Sequence, residues 1–260
     1  VVVSTDEGTP QGGPLSTLLS NVVLDELDWE LDRRGHCFVR YDDDCNIYVR
    51  GERSGKRVMA SITRFIERRL RLEVNADKSA VARPEERHFL GFRLRFEPES
   101  DTVEVLLSKR SVDRIKGRIV ELTPRTWGQS LRDCILGINR YLVGWFGFFK
   151  TCTEGELRTL NNLDAHVRRR LRAIVLKHWK RKRTIARRLI KHGTRPRTAW
   201  RTVYDGRRSL WALSHTPAVS RALPNAYFAQ LGLFSLKAAW QKMRFPSIVE
   251  ASRQLTLPWR

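Results

Sequence analysis

The sequence predicts an α+β block followed by a wholly helical, strongly basic remainder. Three observations carry this. Apolar spacing alternates between the helical and the strand period over residues 1–107, only helical spacing recurs beyond residue 108, and charge is divided unequally along the chain. Residues 1–100 carry 16 Lys/Arg against 18 Asp/Glu, whereas residues 101–260 carry 33 against 10, so the net +21 rests on the second part. With 41% hydrophobic residues among 260, there is apolar surface for one large or two ordinary cores.

The elements follow in order. From Leu15, "LSTLLSNVVLDELDWELDRRG" repeats apolar residues at Leu15, Leu18, Leu19, Val22, Val23, Leu27 and Leu31, which predicts an amphipathic helix ending near Gly35. "CFVRY" and "CNIYVR" alternate and are rich in β-branched and aromatic residues, so a hairpin is predicted, with Asp42, Asp43 and Asp44 filling its connection. "GKRVMASITRFIERRLRLEV" returns to helical spacing through Val58, Ile62, Phe65, Ile66 and Leu70, and "NADKSAV" turns the chain. "RHFLGFRLRF" then predicts a strand paired with "TVEVLL" across "EPESD", closing the block near Leu107. Helices are predicted over 109–122, 128–150 and 154–180, followed by shorter pieces broken at Pro196, Pro217, Pro224 and Pro246.

Several function classes are excluded. No apolar run approaches the about 18 residues of a spanning helix, and "VVVSTDEGTPQGG" lacks the basic start of a secretory leader, so a cytoplasmic location without a membrane partner is expected. Cys37, Cys45, Cys134 and Cys152 form no C-x-x-C pair, which argues for part-buried thiols rather than a zinc site or disulfide framework. The basic excess, interleaved with Trp127, Trp145, Trp179, Trp200, Trp211 and Trp240, points to a surface that neutralises phosphates. The tryptophans themselves suit either core packing or base stacking.

The aspartates are the candidate chemistry. Adjacent carboxylates on a hairpin repel one another unless a cation offsets them. Carboxylates on a rigid β-element are one way to hold divalent metal ions for phosphoryl transfer. Asp-rich tripeptides also cap exposed turns, and the triplet alone leaves both readings open.

The surrounding motifs go further. "GTPQGGPLSTLLSN" at 8–21, "FVRYDDD" at 38–44, "LEVNADKSAV" at 72–81 and "HFLGF" at 88–92 resemble, in order and spacing, the later palm motifs of reverse transcriptases encoded by bacterial group II introns. "SLRDCILGINRYLVGWFGFFK" at 130–150 resembles the thumb or maturase region of that family. "RTAWRTVYDGRRSLWALSHTPAVSRALPNAYFAQLGLFSL" resembles its basic C-terminal extension.

The resemblance implies a partial palm over 1–107, a helical thumb/maturase region over 108–185 and a nucleic-acid-binding extension over 186–260. It implies RNA-directed DNA polymerase and maturase activity, with Mg²⁺ as cofactor. Its partners would be intron RNA, an RNA template with a DNA primer, target DNA and deoxynucleotides; a homodimer stays open. By the same resemblance Asp43 and Asp44 are the catalytic metal ligands, Asp43 the first choice. Gln11, Gly12, Gly13, Tyr41 and Lys78 line the nucleotide and template pocket, and Phe89, Leu90 and Gly91 lie on the strand that supports the primer end. The glycines also suit a turn before a helix, Lys78 a solvated turn, and Phe89 and Leu90 the core.

In the second part, Arg168, Arg169, Arg170, Arg172, Lys177, Lys180, Arg181, Lys182 and Arg183 fall along one helical stretch whose apolar side is Leu171, Ile174, Val175 and Leu176. The expectation is a stripe of outward cations that binds RNA with strong salt dependence. No C-x-x-C or H-N-H-like cluster follows Trp211, so no DNA-cutting module is expected.

Two departures qualify the polymerase. Asp42 stands where the family usually has a small residue, and Thr17 where proline is common. No strand with a further metal-binding aspartate is recognisable before "GTPQGG", so the sequence reads as the C-terminal portion of a longer protein, inactive as a polymerase by itself. The alternatives are a non-catalytic RNA-binding splicing factor or degenerate mobile-element remnant, and an unrelated basic RNA-binding protein with an acidic turn.

Overall fold

The computed structural model describes residues 15–124, 128–206 and 209–246. Packing divides the chain between Arg93 and Leu94, ahead of the palm boundary expected at Leu107, and each unit has its own buried residues.

In the first unit, helix α1 (Ser16–Arg33) leads into strands β1 (Cys37–Tyr41) and β2 (Asp44–Tyr48), then helix α2 (Glu52–Phe65) and a π-helical turn, Ile66–Leu70. Gly35 at φ 69° closes α1: its N–H donates to Asp32 O at 2.8 Å and His36 N–H to Leu31 O at 3.0 Å, a left-handed end that glycine adopts without steric cost. The strands pair antiparallel from Cys37↔Tyr48 to Tyr41↔Asp44. The core is Leu27 and Leu31 of α1 with Ile62 of α2, and Phe38, Cys45, Ile47, Val58, Phe65, Ile66 and Leu70 pack against it.

Three expectations change here. The apolar stripe of α1 is buried only at its C-terminal end, because the hairpin and α2 reach Leu24, Leu27 and Leu31; Leu15, Leu18, Leu19, Val22 and Val23 are exposed. Second, the helix through Leu70 ends at Arg71, whose φ of 56° is left-handed, so Leu72–Val74 are not helical. Third, Asp44 is the first residue of β2, leaving Asp42 and Asp43 as a two-residue connection.

Strands β3 (Phe92–Glu97) and β4 (Thr102–Leu107) form the second hairpin. The second unit continues with α3 (Lys109–Leu122), α4 (Leu131–Phe149), α5 (Leu157–His178), α6 (Lys182–Lys191), α7 (Pro196–Tyr204), α8 (Leu210–Leu213), α9 (Pro217–Ala222), α10 (Asn225–Gln230) and α11 (Leu236–Arg244). Pro196 and Pro217 stand in the first turns of α7 and α9, where their missing N–H and fixed φ suit a helix start, so these prolines begin helices.

Helix α5 is the axis of this unit. It packs against α3, α4, α8 and α11, and buries Leu160, Leu163, Val167, Leu171 and Ile174. Its buried Asp164 accepts from Ser235 Oγ at 2.6 Å and from the N–H groups of Leu236 at 2.9 Å and Lys237 at 3.1 Å. A carboxylate thus caps the N-terminus of α11, satisfying donors that no turn of that helix can reach. Trp240 on α11 donates from Nε1 to Cys152 O at 2.8 Å, which assigns this tryptophan to the core.

A candidate metal-binding hairpin and a candidate RNA surface

Period-two alternation decides which hairpin residues face α1. Phe38 and Arg40 on β1, with their cross-strand partners Ile47 and Cys45 on β2, are part-buried, while Val39, Tyr41 and Asp44 are exposed. Tyr41 and Asp44 close the ladder as a pair, and the chain reverses through Asp42 and Asp43. Asp42 has a φ of 54°, a left-handed conformation that Asp tolerates better than most residues. Asp43 and Asp44 are both exposed.

The position expected to hold an inward hydrophobe instead carries Arg40, and this residue fixes the tip. Its Nε donates to Asp28 Oδ1 at 2.8 Å and Oδ2 at 3.0 Å, and its Nη2 to Asp28 Oδ2 at 2.6 Å. Its Nη1 donates to Asn21 Oδ1 at 2.9 Å and to the backbone oxygen of Asp42 at 2.8 Å. One guanidinium therefore ties the turn to two positions on α1. The hydrogen bonds that it donates to Asp28 hold the Arg40 pKa above the usual arginine value, so Arg40 stays cationic.

Arg40 neutralises Asp28 and not the tip. No ion pair among the described residues involves Asp43 or Asp44. Two adjacent carboxylates are left open to solvent and to an incoming cation. Asp42 differs: its Oδ1 is buried with no hydrogen-bond partner. Among the described residues no group of three or more His, Cys, Asp or Glu is arranged around a metal position.

The other expected site residues divide. Gln11, Gly12 and Gly13 lie outside the described residues. Tyr41 is exposed beside the tip. Lys78 sits in an exposed turn held by Asn75, whose Oδ1 accepts from Lys78 N–H at 3.1 Å and whose backbone oxygen accepts from Ser79 N–H at 3.0 Å.

Phe89, Leu90 and Gly91 do not form a strand. Phe89 and Phe92 exchange backbone hydrogen bonds of 2.9 Å each way, and Leu90 (φ 51°) and Gly91 (φ 83°) form the tight turn between them. Two successive positive-φ residues are what a primed two-residue turn requires. The strand begins only at Phe92.

The expected stripe of outward cations is likewise divided. The helix stops at His178, and α6 begins at Lys182 after a break in which Lys180 has a φ of 58°. Leu171, Ile174, Val175 and Leu176 are buried, as their spacing suggested. Arg168, Arg169, Arg170 and Arg172 are part-buried, because α5 packs on several sides. Arg170 donates to Thr123 Oγ1 at 2.8 Å, Thr123 O at 2.6 Å and Val120 O at 3.1 Å, holding the end of α3. Arg172 donates to Leu223 O at 3.0 Å, and Arg169 lies 3.9 Å over the Trp211 ring. Burial lowers the pKa of Arg168 and Arg172. Lys177, Lys180, Arg181, Lys182 and Arg183 are exposed.

Sequence reading missed Arg40 and Asp28. The signal was present: alternation places Arg40 on the same face as Phe38, and an inward arginine beside a helix needs an acid across from it.

Residues 2–94 match the family model for reverse transcriptase (RNA-dependent DNA polymerase), and residues 112–193 match that for the group II intron, maturase-specific domain. The first match contains α1, the acidic hairpin and α2; the second runs from α3 through α6. No curated protein matches the chain.

Proposed function

Because this chain belongs to the family of group II intron reverse transcriptases with a maturase domain, we propose that Asp43 and Asp44 hold its divalent cation and that the exposed cations of its second unit grip intron RNA. RNA-directed DNA polymerase and splicing maturase are the two functions of that family. The carrying observation is the uncompensated carboxylate pair: Arg40, which reaches the tip, is engaged by Asp28, and Asp43 and Asp44 remain open.

The donor set supports Mg²⁺. Small hard cations take carboxylate oxygens, commonly one or two from the protein, and fill other positions with water and substrate phosphate. Bound there, the cation supplies charge neutralisation at phosphoryl oxygens. Asp43 is the first ligand, with Asp44 beside it. Arg40 holds the turn that carries both carboxylates, and Tyr41 offers a ring face to a nucleotide at the tip. Lys78 offers an ammonium to triphosphate, and Gln11, Gly12 and Gly13 a backbone that a nucleotide can approach closely. Phe89, Leu90 and Gly91 support the primer as a tight turn.

RNA binding falls to Lys177, Lys180, Arg181, Lys182 and Arg183, whose charges are exposed. Arg168, Arg169, Arg170 and Arg172 lie on the preceding turns of α5, where Arg170 and Arg172 are engaged by the backbone oxygens of Thr123 and Leu223. The remaining proposed partners are an RNA template with its DNA primer, deoxynucleotides and target DNA, and a cytoplasmic location fits them. No helix among the described residues is long and apolar enough to cross a membrane.

Asp42 favours a second reading, an RNA-binding splicing factor without polymerase chemistry, because its added charge and buried unpartnered oxygen disturb the metal-binding tip. Titration of the chain with Mn²⁺, followed by electron paramagnetic resonance, separates the two. The polymerase reading expects a bound ion that Asp43→Asn/Asp44→Asn removes and Mg²⁺ displaces. Binding that is absent, or unaltered in that variant, sinks the metal site and leaves the splicing factor.

A further inference from the structure

Helix α7 carries Arg197, Trp200, Arg201 and Tyr204 at the spacing i, i+3, i+4 and i+7, and all four are exposed. The opposite face of the helix is buried through Ala199 and Val203. Cations and aromatic rings therefore alternate along a single outward stripe. The rings of Trp200 and Tyr204 stack, with centroids 5.6 Å apart and planes 30° apart, and Lys182 Nζ of the neighbouring α6 lies 5.5 Å from the Tyr204 centroid. Helix α6 presents Arg183, Arg187, Arg188 and Lys191 to solvent as well.

The charge of the neighbourhood selects the occupant. Between Asp164 and Asp205 the sequence has no acidic side chain, so Asp205, four residues after Arg201, is the one local counter-charge in sequence to this excess of cations. A polyanion meets that field. An aromatic pair that remains 37% and 51% exposed adds a second requirement, a flat π-surface to cover it. Unpaired nucleotides satisfy both, since each brings a phosphate and a base face; bases within a duplex are already stacked and cannot reach the rings.

We propose that Trp200 and Tyr204 form a stacking platform for unpaired bases of RNA, with Lys182, Arg197 and Arg201 holding the flanking phosphates. This rests on the RNA-binding reading of the second unit. It goes beyond that reading by assigning the unpaired part of the RNA to α7, which lies outside residues 112–193 of the maturase match.

The test is fluorescence anisotropy of the full chain with a labelled single-stranded oligoribonucleotide and with its blunt duplex, each over a salt series. Trp200→Ala/Tyr204→Ala is expected to bind the single strand about tenfold or more weakly with an unchanged salt slope. Trp200→Phe/Tyr204→Phe should retain most of the affinity, whereas Trp200→Leu/Tyr204→Leu, which keeps apolar bulk without a π-face, should lose it. Arg197→Gln/Arg201→Gln should flatten the salt slope by about 1.4.

Wild-type affinity in the leucine variant, or an equal loss on the duplex, overturns the platform while steep salt dependence keeps the RNA-binding reading standing. Tighter binding of a deoxyribo-oligonucleotide of the same sequence overturns the assignment to RNA. A wild-type chain that binds neither RNA overturns both readings together.

Discussion

Arg40 holds Asp28 in a bidentate grip while its remaining nitrogen reaches the backbone oxygen of Asp42, so one side chain links helix α1 to the tip of the acidic hairpin. The pair is shielded, with side-chain exposures of 12% and 28%, and its attraction is screened less than that of a surface pair. Replacing one partner leaves the other charge part-buried. Arg40→Gln and Asp28→Asn should each lower the unfolding free energy by about 2 kcal/mol, and the double variant by less than their sum. Urea unfolding of the four proteins gives the coupling; simple additivity would show that the ion pair does not hold the turn.

Asp42 places a carboxylate oxygen in a buried position without a partner and bends the backbone to a φ of 54°. Glycine removes both costs. Asp42→Gly is expected to stabilise the chain by about 1 kcal/mol, and Asp42→Ala by less, since its Cβ keeps the left-handed penalty. A midpoint in urea that falls for Asp42→Gly would contradict this.

Gly55 lies where α2 meets Val49 and Val81: a Cβ there would stand 2.5 Å from Val81 Cγ1 and 3.5 Å from Val49 Cγ2. Alanine gains about 1 kcal/mol of helix propensity, but overpacking against a branched side chain costs about 1–3 kcal/mol. Gly55→Ala should therefore be neutral to destabilising in thermal unfolding, and a clear rise in Tm would show that Val81 yields freely.

Burial pushes the thiols of Cys45 and Cys152 up to about 11. Unfolded thiols ionise near their ordinary value of 9.0, so between pH 9 and about 11 the folded chain binds more protons than the unfolded one. Their contribution to stability is present below pH 9 and is lost as pH rises toward 11. Unfolding measured across this window should show a steeper decline for the wild type than for Cys45→Ala/Cys152→Ala. The exposed Cys37 should be alkylated first at pH 8 or so, ahead of the shielded thiols.

Much of this molecule is legible from spacing. Helix α3 occupies the residues its period assigns, and β1 ends at Tyr41 as its alternation requires. What periodicity cannot state is how far a neighbour reaches: the apolar stripe of α1 runs from Leu15, yet only its C-terminal end is covered. Nor does charge report direction. Arg170 and Arg172 read as outward cations, but long side chains beside a buried helix satisfy carbonyls such as Thr123 O and Leu223 O instead. Leu90 defeats the strand pattern at 88–92 because turn geometry overrides it at a left-handed residue. The acidic tip was legible as a candidate from its three carboxylates; that Arg40 is engaged by Asp28 and not by Asp43 or Asp44 required the hydrogen bonds themselves.

The metal assignment is tested most directly by crystals of the chain grown with Mn²⁺ and measured at the manganese absorption edge. The account expects an anomalous peak at the hairpin tip, about 2.1 Å from oxygens of Asp43 and Asp44, lost when Mg²⁺ is in excess and absent from Asp43→Asn/Asp44→Asn. A tip without density, with manganese only beside other carboxylates such as Asp25 and Glu26, would contradict it.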